Sequence, residues 1–414
     1  MKKTTLVALI LCASLALPAQ AGFEEGLAAY NRGDYATALK EWRPMAEAGN
    51  PIAQAFLGAL YENGFGVSQN GQEAVKWYRA AAEQGFSYAQ YDLGRLYQQG
   101  TYITQDYKEA VKWFRLAAEQ GNALAQYSLG VMYAKGQGVP QDYREAVKWF
   151  RLAAEQGYAG AQNNLGVMYA EGLGVARDNI EAVRWYRKAA DQGYAVAQGN
   201  LGAMYLKGLG VPQDYIEAAK WFRLAAEQGD AQARFNLGLM FESGAGGLPK
   251  NRVIAYALYN LVAATSDSLF YASSETLSSK AVQERDRLTD KLEMSEIEAG
   301  QALTRELAQP GNFGKALDAY LKKAQAPQPA APTSKADKAS APKAGKLANA
   351  PTASAADDPF PPAPAKTPGR VSCNTRCINA DCWRTYDDGR KVKFRAKSKW
   401  NPFENRFEWD AGPC

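Results

Sequence analysis

The sequence predicts an all-α protein, a right-handed superhelical solenoid of 36-residue helix pairs, followed by a linker and a small disulfide-rich β module. Three observations carry this expectation. A 36-residue period runs through the middle of the chain, apolar residues inside each period fall at helical spacing, and composition beyond the repeats turns to Ala, Pro and Lys and then to cysteine. The 414 residues include 48 Lys and Arg, 43 Asp and Glu, five Cys and no His. Without an imidazole, Ser-His-Asp and Cys-His catalysis and every His metal site are excluded. A hydrophobic content of 47% is enough for a sizeable core.

At the N-terminus, Lys2 and Lys3 precede an apolar run from Leu6 to Leu17 and the small-residue site Ala19-Gln20-Ala21. This pattern reads as a signal peptide over residues 1–21 and places the mature chain in the periplasm or the medium. Cys12 follows Leu11, where a lipoprotein signal needs a small residue, so no lipid anchor is expected. No later stretch approaches the ~20 apolar residues of a membrane span. Residues 22–52 read as a capping helix pair, with Tyr30, Tyr35, Leu39 and Trp42 apolar and Gly33-Asp34 as the turn.

Residues 53–268 hold six repeats. Leu-Gly pairs recur at Leu57-Gly58, Leu93-Gly94, Leu129-Gly130, Leu165-Gly166, Leu201-Gly202 and Leu237-Gly238, and Trp77, Trp113, Trp149, Trp185 and Trp221 keep the same step. In the unit from Ala125, the residues Ala125, Leu129, Met132 and Tyr133 share one helix face, and Gly136 stands where a helix C-terminus takes positive φ. Asp142 and Glu145 have capping-box spacing at the start of a second helix, with Asp106/Glu109, Asp178/Glu181 and Asp214/Glu217 repeating it. These acids therefore read as caps, not catalytic carboxylates. Glu145 and Lys148 form an i,i+3 pair on the outer side, and the Trp and Tyr columns read as packing between units.

The string from Ala125 to Gly157, A-Q-Y-S-L-G-V-M-Y-A-K-G-Q-G-V-P-Q-D-Y-R-E-A-V-K-W-F-R-L-A-A-E-Q-G, resembles a Sel-one-like repeat, a tetratricopeptide-related unit with a lengthened interhelical loop. Two units depart from the pattern. Thr101-Tyr102-Ile103 replaces the Gly-x-Gly-Val turn in the second, and the sixth carries Gly244-Ala245-Gly246-Gly247-Leu248-Pro249 and lacks the Trp, as a capping repeat would. The resemblance implies adaptor work by an exported protein with a protein partner, no enzyme activity and no cofactor. A cysteine-rich branch of that family is associated with penicillin-like compounds, which makes β-lactam binding or hydrolysis the enzymatic alternative. This chain has no Cys between Cys12 and Cys373, and its Ser340-Ala341-Pro342-Lys343 lies in the linker.

Periodic Leu277, Val282, Leu288, Leu292, Ile297 and Leu303 predict capping helices within residues 269–323. Residues 324–369, with ten Pro, read as a disordered linker. Residues 370–414 hold Cys373, Cys377, Cys382 and Cys414; two disulfides of open pairing are expected, with a four-Cys zinc site as the alternative. Lys391, Lys393 and Arg395 alternate with Val392 and Phe394 across a predicted hairpin. That basic face fits wall material or an anionic glycan, or it only keeps a small sheet soluble; nucleic acid is not an expected partner. The charge is regional: 31 basic and 34 acidic residues over 22–323, against 10 and 6 over 370–414.

For the solenoid, the expected surface is the concave groove. Its candidate residues are Tyr91, Tyr127, Asn163 and Phe235 in one column and Asp92, Ser128, Asn164, Asn200 and Asn236 in the next, with Arg95 and Gln98 nearby. Asn at three successive units could bond the backbone of an extended partner segment.

Overall fold

A computed structural model describes the backbone of residues 17–264 and 276–325 and of five short strands between 373 and 410, with side chains described over 22–264 and 276–324. Residues 1–16, most of the linker with Ser340 and Lys343, and the side chains of the cysteine module lie outside the described residues, as do the pairing of Cys373, Cys377, Cys382 and Cys414 and the basic face. The chain divides into two compact units, residues 1–329 and 330–414.

The described residues of the first unit form helices and the turns between them. Helices α1 (Leu17–Arg32) and α2 (Tyr35–Glu47) precede six pairs: α3 (Pro51–Asn63) and α4 (Gly71–Glu83), α5 (Ser87–Gln99) and α6 (Tyr107–Glu119), α7 (Ala123–Lys135) and α8 (Tyr143–Glu155), α9 (Ala159–Glu171) and α10 (Asn179–Asp191), α11 (Ala195–Lys207) and α12 (Tyr215–Glu227), α13 (Ala231–Ser243) and α14 (Arg252–Ala263). Then come α15 (Leu277–Thr289), α16 (Met294–Leu307) and α17 (Phe313–Gln325). Of the periodic apolar residues, Leu277, Val282 and Leu288 fall in α15 and Ile297 and Leu303 in α16, and α17 is a further helix beyond that run.

The Leu-Gly period has a packing cause. A Cβ on Gly130 would lie 2.7 Å from the Phe150 ring, and Gly94, Gly166 and Gly202 meet Phe114, Tyr186 and Phe222 in the same way. The absent side chain lets the ring of each second helix rest on the backbone of its first. Between units, buried clusters join one unit's second helix to the next unit's first helix. Ala110, Val111, Phe114, Ala117 and Ala118 of α6 pack with Ala125, Leu129 and Met132 of α7. Each column Trp packs on the cluster preceding its own helix, Trp149 on this one and Trp185 on the next. Stability is thus carried by neighbour contacts, as in other solenoids.

The caps differ from the sequence expectation in one detail. Asp142 accepts from the backbone N–H of Arg144 (2.8 Å) and Glu145 (3.1 Å). The reciprocal half of the box is not made: the Asp142 N–H donates to the Tyr133 carbonyl (3.0 Å), and Glu145 instead pairs with Lys148. The preceding turn already supplies an acceptor for the N-cap amide, so the glutamate is free for the outer ion pair. At the far end, α14 is buried on most of its surface among α13, α15 and α16, and α17 packs on α16 and α12, in one cluster with Leu288, Ile297, Leu303 and Leu317.

In the second unit, β1 (Cys373–Ile378), β2 (Asp381–Tyr386) and β3 (Lys391–Arg395) pair antiparallel in that order, and β4 (Lys397–Asn401) pairs with β5 (Arg406–Asp410).

Candidate functional site

The first helices α7, α9 and α11 bury their third, fourth, seventh, eighth and tenth residues, and the fifth, sixth, ninth and twelfth positions lie together on another face. Two of the candidate residues on this face are buried, Asn163 at 4% exposure and Phe235 at 9%. Phe235 packs on Tyr259 at 5.5 Å, which makes it part of the terminal core. Tyr91, Asp92, Arg95, Tyr127, Asn164, Asn200 and Asn236 are half-buried.

Successive units touch along this face through polar groups. The Ser128 hydroxyl and the Asn164 amide face the phenols of Tyr91 and Tyr127, one unit back. Asn200 Nδ2 donates to Asn163 Oδ1 (3.0 Å), and Asn163 Nδ2 donates to Asn164 Oδ1 (3.2 Å). The first bond links α11 to α9, the second runs within α9, and Asn236 bonds only within α13. In the predicted asparagine column, the carbonyl oxygen of Asn200 and the amide NH2 of Asn236 have no partner among the described residues, and the Asn236 oxygen accepts from Gln232 (3.2 Å).

Tyr158 and Tyr194, in the turns that lead into α9 and α11, complete the site. The Tyr127 and Tyr158 rings lie 5.0 Å apart, and a Cβ on Gly160 would approach them to 3.5 and 3.1 Å, so both rings lie over α9 where it has no side chain. Burial raises the Tyr127 phenol to about 12, helped by the Tyr194 and Tyr158 phenols. Burial also raises Tyr158, with Tyr91 and Tyr194 adding to it. These phenols therefore stay neutral hydrogen-bond donors across the physiological range.

Toward the N-terminal end the same face becomes charged. Arg95 Nη2 bonds both oxygens of Glu62 at 2.8 Å and Asp92 Oδ1 at 3.3 Å, and the Tyr78 hydroxyl donates to Glu62 at 2.8 Å. Burial pushes the Asp92 carboxyl up to about 6 against the pull of Arg95, with Glu62 adding to the rise. Burial opposes the charge of Arg95, and the Asp92 and Glu62 carboxylates more than offset it, so its pKa rises. Two carboxylates on one guanidinium leave one negative charge in excess. No cluster of three or more His, Cys, Asp or Glu able to hold a metal occurs among the described residues.

The Sel1 repeat model matches residues 51–86, 87–122, 123–158, 159–194, 195–230 and 231–264, without a gap and over half of the chain. The chain belongs to the Sel1-repeat family. A Sel1 repeat protein from Oxalobacter formigenes is 35% identical, with a TM-score of 0.56 over 61% of this chain and 99% of that one. The protein c5321, a protective antigen of uropathogenic Escherichia coli strains that displays the same repeat fold, is 34% identical over 74% of this chain and 76% of its own, with a TM-score of 0.49. No curated protein matches the chain. Sel1 solenoids are generally non-enzymatic scaffolds for protein–protein interaction.

Within the Sel1 frame, sequence reasoning missed three features of this face and its supports. Tyr158 and Tyr194 occupy a column with Phe86, Asn122 and Asp230 that alternates between capping and aromatic residues, which hides it from a search for invariant positions. Glu62 has no counterpart in units two to five, and only its distance to Arg95 marks it. The third is a buried glutamine ladder. Gln54, Gln90, Gln126, Gln162 and Gln198 each donate to a carbonyl of the preceding second helix, as Gln126 does to Ala118 (3.1 Å), and each accepts from a glutamine 30 residues on, as Gln126 does from Gln156 (2.7 Å). Its signal was present in the recurring Ala-Gln pairs.

Proposed function

We propose that the chain is an exported scaffold of the bacterial envelope, or of host contact, that holds an extended segment of a protein partner along the first-helix face. One observation carries this reading. Half-buried phenols and amides from consecutive units line a single face and meet between units, Tyr127 with Asn164 and Asn200 with Asn163, while the Asn200 oxygen and the Asn236 NH2 have no partner among the described residues. A face of Tyr, Ser and Asn combines ring area that loses little entropy on binding with adaptable hydrogen bonding, as in paratopes. Export rests on residues 1–21 and places the chain in the periplasm or outside the cell. Among the described residues no helix is long and apolar enough to cross a membrane.

Cross-linking followed by affinity capture from envelope extract, with Asn164, Asn200 and Asn236 changed to Ala, tests the reading. Partner recovery should fall about tenfold, and recovery indifferent to all three changes would move the site elsewhere. A second reading assigns wall or glycan tethering to residues 370–414, whose 10 basic residues against 6 acidic would favour an anionic polymer. Deletion of 370–414 should then abolish sedimentation with cell-wall material, and unchanged sedimentation removes the idea. Turnover of a chromogenic β-lactam by the purified protein would overturn the non-enzymatic reading.

A further inference from the structure

We infer that the segment held by this face is proline-rich, in the polyproline II conformation, with a Lys or Arg near one end. The inference rests on the reading that the first-helix face binds a protein segment, and it names the chemistry of that segment from three properties of the face.

The first property is a run of aromatic rings. Tyr91, Tyr127, Tyr158 and Tyr194 come from three consecutive repeats, and their phenols are close enough to act on one another electrostatically. All four are half-buried, with part of each side chain still open to solvent. Pyrrolidine rings dock on such aromatic surfaces, and a polyproline II segment is already ordered before it binds, so less entropy is lost on docking.

The second is donor chemistry. The neutral phenols of Tyr127 and Tyr158 and the NH2 of Asn236 supply hydrogen-bond donors without charge, while Asn200 presents its oxygen as an acceptor. A polyproline II segment forms no internal hydrogen bonds and leaves its carbonyls free. Proline has no N–H, so the Asn200 oxygen, a free amide acceptor among the described residues, is left for an interspersed non-proline residue.

The third is charge. At the N-terminal end of the face, Glu62 and Asp92 around Arg95 leave one carboxylate in excess, which complements a basic residue on the segment.

Fluorescence anisotropy of the full chain with a labelled peptide, one Lys followed by repeated Pro-Pro-Ala, tests the inference. Saturable binding is expected, weakened about tenfold by Tyr127→Ala or Tyr158→Ala and about threefold by replacing the peptide Lys with Glu. Leu152→Ala, on the opposite, exposed side, should leave it unchanged, and thermal melts should show all variants folded. Tyr127→Phe keeps the ring, removes only the donor and should give an intermediate loss. A peptide with Gly in place of every Pro should not bind. Equal binding of the Gly peptide would overturn the polyproline inference while leaving the face a general peptide site. If neither peptide binds but a wall-derived oligosaccharide does, through the same tyrosines, both the inference and the protein-segment reading fall. If none of the three binds while Asn164, Asn200 and Asn236 still govern partner capture, only the inference falls.

Discussion

Two junctions between repeats solve one packing problem in opposite ways. Where the third repeat meets the second, Gly138 sits at φ +73°, and a Cβ there would lie 2.2 Å from the Tyr107 carbonyl oxygen. The helix α6 begins with Tyr107, and Gly174 and Gly210 repeat the arrangement against Tyr143 and Asn179. Where the second repeat meets the first, the matching loop residue is Tyr102, the only described non-glycine residue with positive φ, at 66°. Its ring covers Gly71, which begins α4, and its carbonyl accepts from Gln72 Nε2 at 2.7 Å. Tyrosine and glycine have exchanged places across the junction. The unit of fit is thus the pair of residues that meet between repeats, and a departure that looks like decay within one repeat is compensated in its neighbour.

The largest expected effect breaks the regular junction. Gly138→Ala forces both an unfavourable φ and a backbone clash and should cost about 3–5 kcal/mol in urea unfolding. The exchange itself is tested next. Gly71→Tyr alone places a side chain 2.0 Å from the Tyr102 ring and should cost about 2–3 kcal/mol. Adding Tyr102→Gly should recover most of that loss, a coupling of about 2 kcal/mol; additive losses would show that the two residues do not compensate each other. By contrast, the glutamine ladder is the same at both junctions, so Gln90→Ala and Gln126→Ala should each cost about 2 kcal/mol by stranding a buried carbonyl and a partner amide. A clear difference between them would mean that the irregular junction is looser than its geometry implies.

The smallest expected effect is a pH dependence confined to the irregular end. The Asp92 carboxyl keeps its proton to about pH 6 when folded, whereas an unfolded Asp releases it near ~4. Between these values the folded chain binds more protons than the unfolded one, so stability falls as pH rises from ~4 to about 6. Chemical denaturation across that range should show the decline, and Asp92→Asn should flatten it.

Most of the fold was legible because its determinants are periodic. The Leu-Gly pairs, the Trp column and the Asp caps recur every 36 residues, and each position does one job in every unit. The compensated junction was not legible, because Gly71 and Tyr102 each look like a simple departure until the structure brings them together. Of the site, the positions of Tyr91, Tyr127, Asn164, Asn200 and Asn236 could be read from helical spacing. The burial of Asn163 and Phe235 could not: one turns toward its neighbours' amides, and the other is claimed by the ring of Tyr259, the second helix of its own unit. Tyr158 and Tyr194 lie in turns, where helical periodicity says nothing about direction.

The central claim, that the first-helix face is where the partner lies, is tested most directly by site-specific photo-cross-linking in living cells. A photoreactive phenylalanine analogue would be placed at Tyr127 on the face and, separately, at Leu152 on the exposed outer side, which is 44% exposed. Our account predicts one discrete cross-linked protein from position 127 that is absent from position 152 and lost when Asn164 and Asn200 become Ala. The same adduct from both positions, or from 152 alone, would contradict it.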